Sequence, residues 1–540
     1  MKAKTFSIVT LFFIVHHVAA IAAPSQFIDY DFNFVEYGSV PCFNIKLSSR
    51  FNGSGKQTLL IPFGSRDFRI KTTQDEFLLN QANATYTTEI AGKPHSDFHI
   101  NYNYCVSNPE YRIETTILEK DFFAFKFGDV FVTPIDFSKD KWKIKINTDK
   151  VKSDIALESS LPFSEKLISV DKSMYDFKYS MLVGCNNKLI TKTMIDKRPI
   201  TTVTNGTLTL SEKPAFYVNE LLKTQQRFWN TKYTQPLLIT IVSPPCSLNS
   251  KRIEGRYFEN AFIIKIPDCN TIAGFSRSAK YSLSHELFHG WLGKKIKFVD
   301  DYIPLVWFLE GFTDYYGLKF ANESNLLTDN EFLAQYNIII QEYYLSPLKN
   351  FSNNQLSNIH DNSMNIHNFI QNRGHLMARE LANYLSGKDQ SIDTIMKATH
   401  AVSIKTNKKL NDSDIKMVFQ NALEVEDWNR FSNVIYNGKD IEFSTSLGEK
   451  FKLVNKEVEV PDFGFDLKTL LETKTISGIN EQSAAYKAGV RNGAQFVLFS
   501  LNETNPLRET ILYWKEGNIQ KEIRFYPDKR KVQIPQYVRA

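Results

Sequence analysis

Ser284-His285-Glu286-Leu287-Phe288-His289, followed by Trp307-Phe308-Leu309-Glu310-Gly311-Phe312-Thr313-Asp314, decides how this chain is read. The first stretch has the pattern H-E-x-x-H. On a helix its histidines stand four residues apart, so both imidazoles leave one face and can hold a single metal ion. Glu286 projects toward the same site, placed to take a proton from a water that the ion activates. Glu310, separated from His289 by 20 residues, can return on a second helix as a third ligand. Two histidines, one carboxylate and an open fourth position make a catalytic zinc site, whereas structural zinc sites are closed and usually rich in cysteine. The flanking Leu283, Leu287, Phe288, Trp291 and Leu292 predict a buried helix. A buried histidine pair beside a carboxylate needs the compensation a cation provides. Glu310 and Asp314 share a helical face, and Asp314 can accept the free ring N–H of a ligating histidine.

At 540 residues the chain exceeds one hydrophobic core and should form several domains. A hydrophobic content of 42% with 13% aromatics excludes a disordered chain. The net charge of +6 is small and dispersed, so nucleic acid is not an expected partner. Lys2 and Lys4, an apolar run from Thr5 to Val18 broken only by His16 and His17, and Ala20-Ile21-Ala22 read as a secretory signal over residues 1–23. An uncleaved anchor is the alternative, but the apolar run is short for a membrane span. No later segment is apolar enough to cross a bilayer, so the expected location is secreted or periplasmic. Cys42, Cys105, Cys185, Cys246 and Cys269 fit an oxidising compartment, with one or two bridges and at least one thiol left over. Cys246 and Cys269, flanking the segment before the metal helix, are the expected pair. The absence of C-x-x-C removes a cysteine zinc site and a thioredoxin-like centre.

The texture predicts a multidomain α+β protein. Residues 24–213 carry short β-branched and aromatic runs between turn signals, with Trp142-Lys143-Ile144-Lys145-Ile146 alternating at period two. They are expected to form an N-terminal β-sandwich-like domain. In residues 214–452 a small mixed sheet (strands at 237–242 and 261–266) precedes a helical lobe with helices near 217–229, 331–344 and 374–385. That is the order of a thermolysin-like catalytic domain. Asn350 to Asn372, rich in Asn and Ser, is expected to loop over the cleft. Residues 453–540 read as a β-rich module. Asp462-Phe463-Gly464-Phe465, Gly478-Ile479-Asn480 and Ser483 to Gly493 follow the spacing of a PDZ domain, with Gly493-Ala494 in place of the usual Gly-Asp. Its loop would cradle a peptide carboxylate or pair with an added strand.

On these features residues 214–540 resemble the glycyl aminopeptidase family, gluzincin zinc metallopeptidases with a C-terminal PDZ domain. The resemblance rests on His285 to Trp291 with Lys294-Lys295-Ile296, on Trp307 to Tyr316, and on the PDZ-like tail. It implies Zn2+ as cofactor, His285, His289 and Glu310 as its ligands, Glu286 as general base and peptides as substrates, with a second peptide ligand for the tail. Tyr257-Phe258-Glu259-Asn260-Ala261 resembles the exopeptidase loop of related aminopeptidases, which makes Glu259 the partner of the substrate's free amino group. The usual leading glycine of that loop is displaced: Arg256 stands there, with Gly255 one place earlier.

One departure concerns the oxyanion. Relatives place a tyrosine two residues before a Lys-Gly pair; here Arg373-Gly374 forms the pair and Gln371 stands at the tyrosine position. A glutamine amide can still donate a hydrogen bond, and His367, one turn earlier, is a substitute if that segment is helical. The expected function is metal-assisted aminopeptidase hydrolysis. The rivals are a weakened zinc-peptidase homologue that holds peptides, and an endopeptidase should Glu259 lie elsewhere.

Overall fold

The computed structural model of the chain describes residues 26–37, 40–62, 65–71, 76–81, 86–105, 116–135, 141–164, 166–206, 214–230, 235–244, 253–258, 260–267, 276–299, 303–359, 364–388, 390–502, 504–516 and 519–540. The signal-like N-terminus, Glu259, Cys246 and Cys269 lie outside them. The chain divides into two compact units, Met1–Leu182 and Val183–Ala540.

In the first unit, Phe27–Tyr37 pairs antiparallel with Val40–Arg50 and parallel with Lys141–Asn147, at the centre of an eight-stranded sheet. The alternation expected at Trp142 to Ile146 is present: Trp142, Ile144 and Ile146 are buried and the lysines between them exposed. Period-two alternation of this kind marks a sheet with one face toward a core and one toward water. Phe32, Phe34 and Phe43 of that sheet pack on Phe123 and Phe125 of a four-stranded sheet, with ring centroids 5.1 to 5.9 Å apart. Aromatic pairs at such spacing favour tilted and edge-on contacts, as here.

Cys42 and Cys105 face each other across paired strands and form a disulfide closing a separation of 63 residues. Cys185 is buried and takes no part in this bridge. Replacing Cys42 and Cys105 together by alanine is expected to destabilise this unit by about 4 kcal/mol through the loop released in the unfolded chain. Chemical denaturation of the doubly substituted protein measures it.

The boundary expected after residue 213 falls earlier. Ile190–Ile195 and Arg198–Gly206 join Leu237–Ser243, Ala261–Lys265 and Glu254–Phe258 in one five-stranded sheet, in that order. Arg198–Gly206 runs parallel to Leu237–Ser243, whose residues are all buried, so covering that strand requires these neighbours. Glu254–Phe258, antiparallel to Ala261–Lys265, forms the edge.

Pro214–Trp229 is helical as expected, as is Asp329–Leu345, which opens with a Thr328/Glu331 capping box. The expected loop over 350–372 is a misreading. Asn353–Ile359 is a helix, and another, the crossing helix, runs from Met364 to Ser386, ten residues earlier than expected. Its apolar positions Ile366, Phe369, Ile370, Leu376, Met377, Leu381 and Leu385 are buried at helical spacing, which outweighs the loop-favouring Asn residues between them.

In the tail, Phe451–Asp462 pairs along its length with Asp528–Arg539. A small core of its own holds Leu470, Ile476, Ala485, Val490, Phe496, Leu512 and Phe525. The tail is nevertheless part of the second unit. Asn337 donates to the Tyr537 carbonyl at 2.8 Å and accepts its N–H at 2.9 Å, extending the ladder of Asp528–Arg539 with a side chain. After the Phe463-Gly464-Phe465 loop, Leu467–Thr473 forms a helix capped by Asp466. A strand is what an added peptide would pair with there.

Candidate metal centre

Ser276 caps the metal helix, Arg277–Phe288, by accepting the Ala279 N–H at 3.2 Å. His285 and Glu286 lie in its last turn and His289 is its C-cap. Glu310 and Asp314 come from the glutamate helix, Val306–Glu323, which is buried on nearly every side. Glycines let these helices approach. A Cβ at Gly317 would stand 3.1 Å from the Cα and N of His285, and one at Gly311 would stand 2.7 Å from the Cα of Gly374 on the crossing helix. A Cβ at Gly374 would overlap the Trp307 carbonyl.

These approaches converge three ligand atoms. The Nε2 atoms of His285 and His289 are 3.0 Å apart, and Glu310 Oε2 lies 3.5 and 3.3 Å from them. A tetrahedral zinc with Zn–N bonds of 2.0–2.1 Å has donor–donor edges of about 3.3 Å. Both Nδ1 atoms already have acceptors: Asp314 Oδ1 at 2.6 Å for His285, and the Leu292 carbonyl at 3.0 Å for His289. The protons therefore sit on Nδ1, and both Nε2 lone pairs face the same space as the carboxylate. Such an arrangement is repulsive unless a cation occupies its centre, and His285, His289 and Glu310 are the metal-competent cluster among the described residues.

The ionisation of the bare side chains carries the same message. Burial opposes charge on His285, yet Asp314 and Glu310 hold its pKa well above the ordinary value. Burial also opposes charge on Glu310, and the two imidazoles hold it well below. Glu286 is pushed up by burial, partly offset by the two histidines. Its side chain lies against Gly255 of the edge strand, where any Cβ would overlap it, so glycine is needed for the strand to pass this close. Gly255, Tyr281, His285, Glu286, Asp314 and Gln371 line a cleft of about 280 Å³.

Sequence reasoning placed His285, His289, Glu310, Glu286 and Asp314 together, and the structure does too. It uses Gln371 differently. One N–H of its amide donates to Asp314 Oδ2 at 2.6 Å, so that donor orients the carboxylate behind His285 instead of facing an oxyanion. Arg373 is fully buried and donates to the Phe351 carbonyl at 2.6 Å and to Asn353 Oδ1, anchoring the preceding helix. His367 is helical, as its substitute role required, but it is not among the residues lining the cleft.

Tyr281 escaped the sequence reading. It stands one turn before His285 and hydrogen-bonds Asp314, and burial followed by Asp314 raises its pKa well above the ordinary value. Its i−4 spacing from His285 was the available signal; the Leu292 carbonyl offered none. With three donors on Asp314, Asp314→Asn is expected to weaken zinc binding about 10–100-fold. Competition with a chromophoric chelator reads it directly.

Residues 280–388 match the model of the M61 glycyl aminopeptidase family. No curated protein matches the chain. Among solved structures, an aminopeptidase N family protein from Idiomarina loihiensis superposes with a TM-score of 0.66 at 13% identity, covering 94% of this chain and 98% of that one. An M1 zinc metallopeptidase from Deinococcus radiodurans, bound to a Tyr-Ser-Ala substrate, gives a TM-score of 0.46 at 13% identity over 78% of this chain and 96% of that one. The first likeness shows a shared fold.

Proposed function

We propose that this chain, whose residues 280–388 carry an M61 glycyl aminopeptidase segment, is a secreted or periplasmic zinc aminopeptidase that removes small N-terminal residues from peptides. The observation that carries this reading is the tetrahedral spacing of His285 Nε2, His289 Nε2 and Glu310 Oε2 beside Glu286 in an open cleft. The zinc ion they would hold supplies a Lewis acid that polarises the scissile carbonyl and acidifies water.

Every other step falls to side chains. Glu286 takes the proton of the attacking water and delivers it to the leaving amine. Its raised pKa brings it nearer the range in which a carboxylate serves both as base and as acid. Asp314, held by Tyr281 and Gln371, keeps His285 in the ligating tautomer. The edge strand Glu254–Phe258 offers backbone groups along which a peptide can align. Glu259 follows it directly, and we assign it the substrate's ammonium; Asn260 after it has the left-handed φ of 53° expected of a tight connection.

Aminoacyl-naphthylamides, tested with and without a chelator, check the reading. Chelator-sensitive release from free but not N-acetylated substrates is expected. Cleavage of blocked peptides would instead mean an endopeptidase. The engagement of Gln371 with Asp314 favours a second reading, a zinc-holding homologue that binds peptides with little turnover. Peptide binding without release of amino acids is its signature.

A further inference from the structure

The cleft at the metal centre continues past the three ligand residues. Asp329–Leu345 lends it Ile338, Ile339 and Glu342, and the segment entering the edge strand lends it Ile253 and Gly255. Ile338 and Glu342 stand four residues apart, so they leave one face of their helix a turn from each other. Ile338 is 38% exposed although apolar, and Glu342 is exposed beside it. Asn372 of the crossing helix donates to Glu342 Oε2 at 3.0 Å and anchors that oxygen. Burial, then Asp314, then Glu342 raise the pKa of Tyr281, so the Glu342 charge reaches the phenol one turn before His285.

The edge strand gives the cleft a direction. Ile253 and Gly255 line it, whereas Arg256, Tyr257 and Phe258 do not. Among the described residues, the strand therefore borders the cleft on the side leading away from Glu259. On the aminopeptidase reading, on which this inference rests, Glu259 holds the substrate's ammonium, one residue from the scissile bond. The cleft then receives the residue on the C-terminal side of that bond. Its wall is apolar at Ile253, Ile338 and Ile339 and acidic at Glu286, Asp314 and Glu342, with no lysine or arginine among the described lining residues. Glu286 serves the attacking water, and Asp314 is engaged by His285, Tyr281 and Gln371. Glu342 is the carboxylate placed for a substrate side chain. Lysine and arginine join an apolar stem to a cationic head, and this wall complements both parts.

We propose that Glu342 selects substrates with lysine or arginine directly after the scissile bond. Its carboxylate pairs with the cationic head, while Ile253, Ile338 and Ile339 line the path of the stem. An acidic residue at that place is rejected by the same charges.

Alanyl-lysine amide, alanyl-norleucine amide and alanyl-glutamate amide test it, norleucine having the lysine stem without its charge. Alanine release by the zinc-loaded full chain gives kcat/KM, and calorimetry on its Glu286→Gln variant gives Kd without turnover. Lysine is expected to exceed norleucine about 5–10-fold in both, with glutamate last. Glu342→Gln, which keeps an oxygen for Asn372, is expected to bring the lysine-to-norleucine ratio to about one with zinc content unchanged. Glu342→Lys is expected to place glutamate first. Equal values for the three amides overturn the subsite, and turnover of all three would leave the aminopeptidase reading intact. A lysine preference in Kd without turnover of any amide would sink that reading and keep the subsite. A uniform loss across the three amides in Glu342→Gln would make Glu342 a partner of the amino terminus and overturn the selectivity.

Discussion

Glu286→Gln is expected to lower kcat about a thousandfold while zinc stays bound and the melting temperature is little changed. The glutamine keeps the volume and the contact with Gly255 but cannot accept the water's proton. Because Glu286 is not among the atoms that converge on the ion, its replacement leaves the donor set of His285, His289 and Glu310 intact. Burial raises the pKa of Glu286 and the two imidazoles only partly offset it, a shift in the direction that favours a general base. Paired measurements of zinc content and turnover of an aminoacyl-naphthylamide check the result. Retained turnover with full zinc would show that another group is the base, and loss of zinc would show that Glu286 helps to hold it.

Gly374→Ala should be the most destabilising of the single methyl additions in the metal lobe. The added Cβ would overlap the Trp307 carbonyl, which is backbone and cannot rotate away, while Gly311 meets the Gly374 backbone from the opposing helix. Overpacking a site that only backbone displacement can relieve costs about 3 kcal/mol or more. The relief available is a separation of the crossing and glutamate helices, and that carries Glu310 and Asp314 away from the two histidines. A lowered urea midpoint together with weakened zinc binding is therefore expected. Gly387→Ala is the control: its nearest neighbour, the Tyr384 carbonyl, is at 3.4 Å, so stability should stay within about 1 kcal/mol of the native protein. If both substitutions behave alike, the glycine crossing does not set the site.

Much of the centre was legible because helical spacing is local. His285 and His289, and Glu310 and Asp314, each share a face at i, i+4, and the alternation at Trp142 to Ile146 marks a sheet with one buried face in the same way. The crossing helix was partly hidden. Asn362, Asn365, Asn368 and Asn372 read as loop residues, while Ile366, Phe369 and Ile370 carry the helical period that burial enforces. The early domain boundary was hidden too, since period-two strands look the same whichever sheet they join; only the pairing of Arg198–Gly206 with Leu237–Ser243 assigns them.

By itself the sequence determined which residues can bind a cation and act as base, because four-residue spacing on a helix follows from backbone geometry alone. Tertiary structure decided the rest: that Gln371 and Tyr281 meet on Asp314, and that Gly255 brings an edge strand against Glu286. These are relations between elements far apart in the chain. Their distances are set by how closely Gly311, Gly317 and Gly374 let three helices approach, which no local pattern encodes.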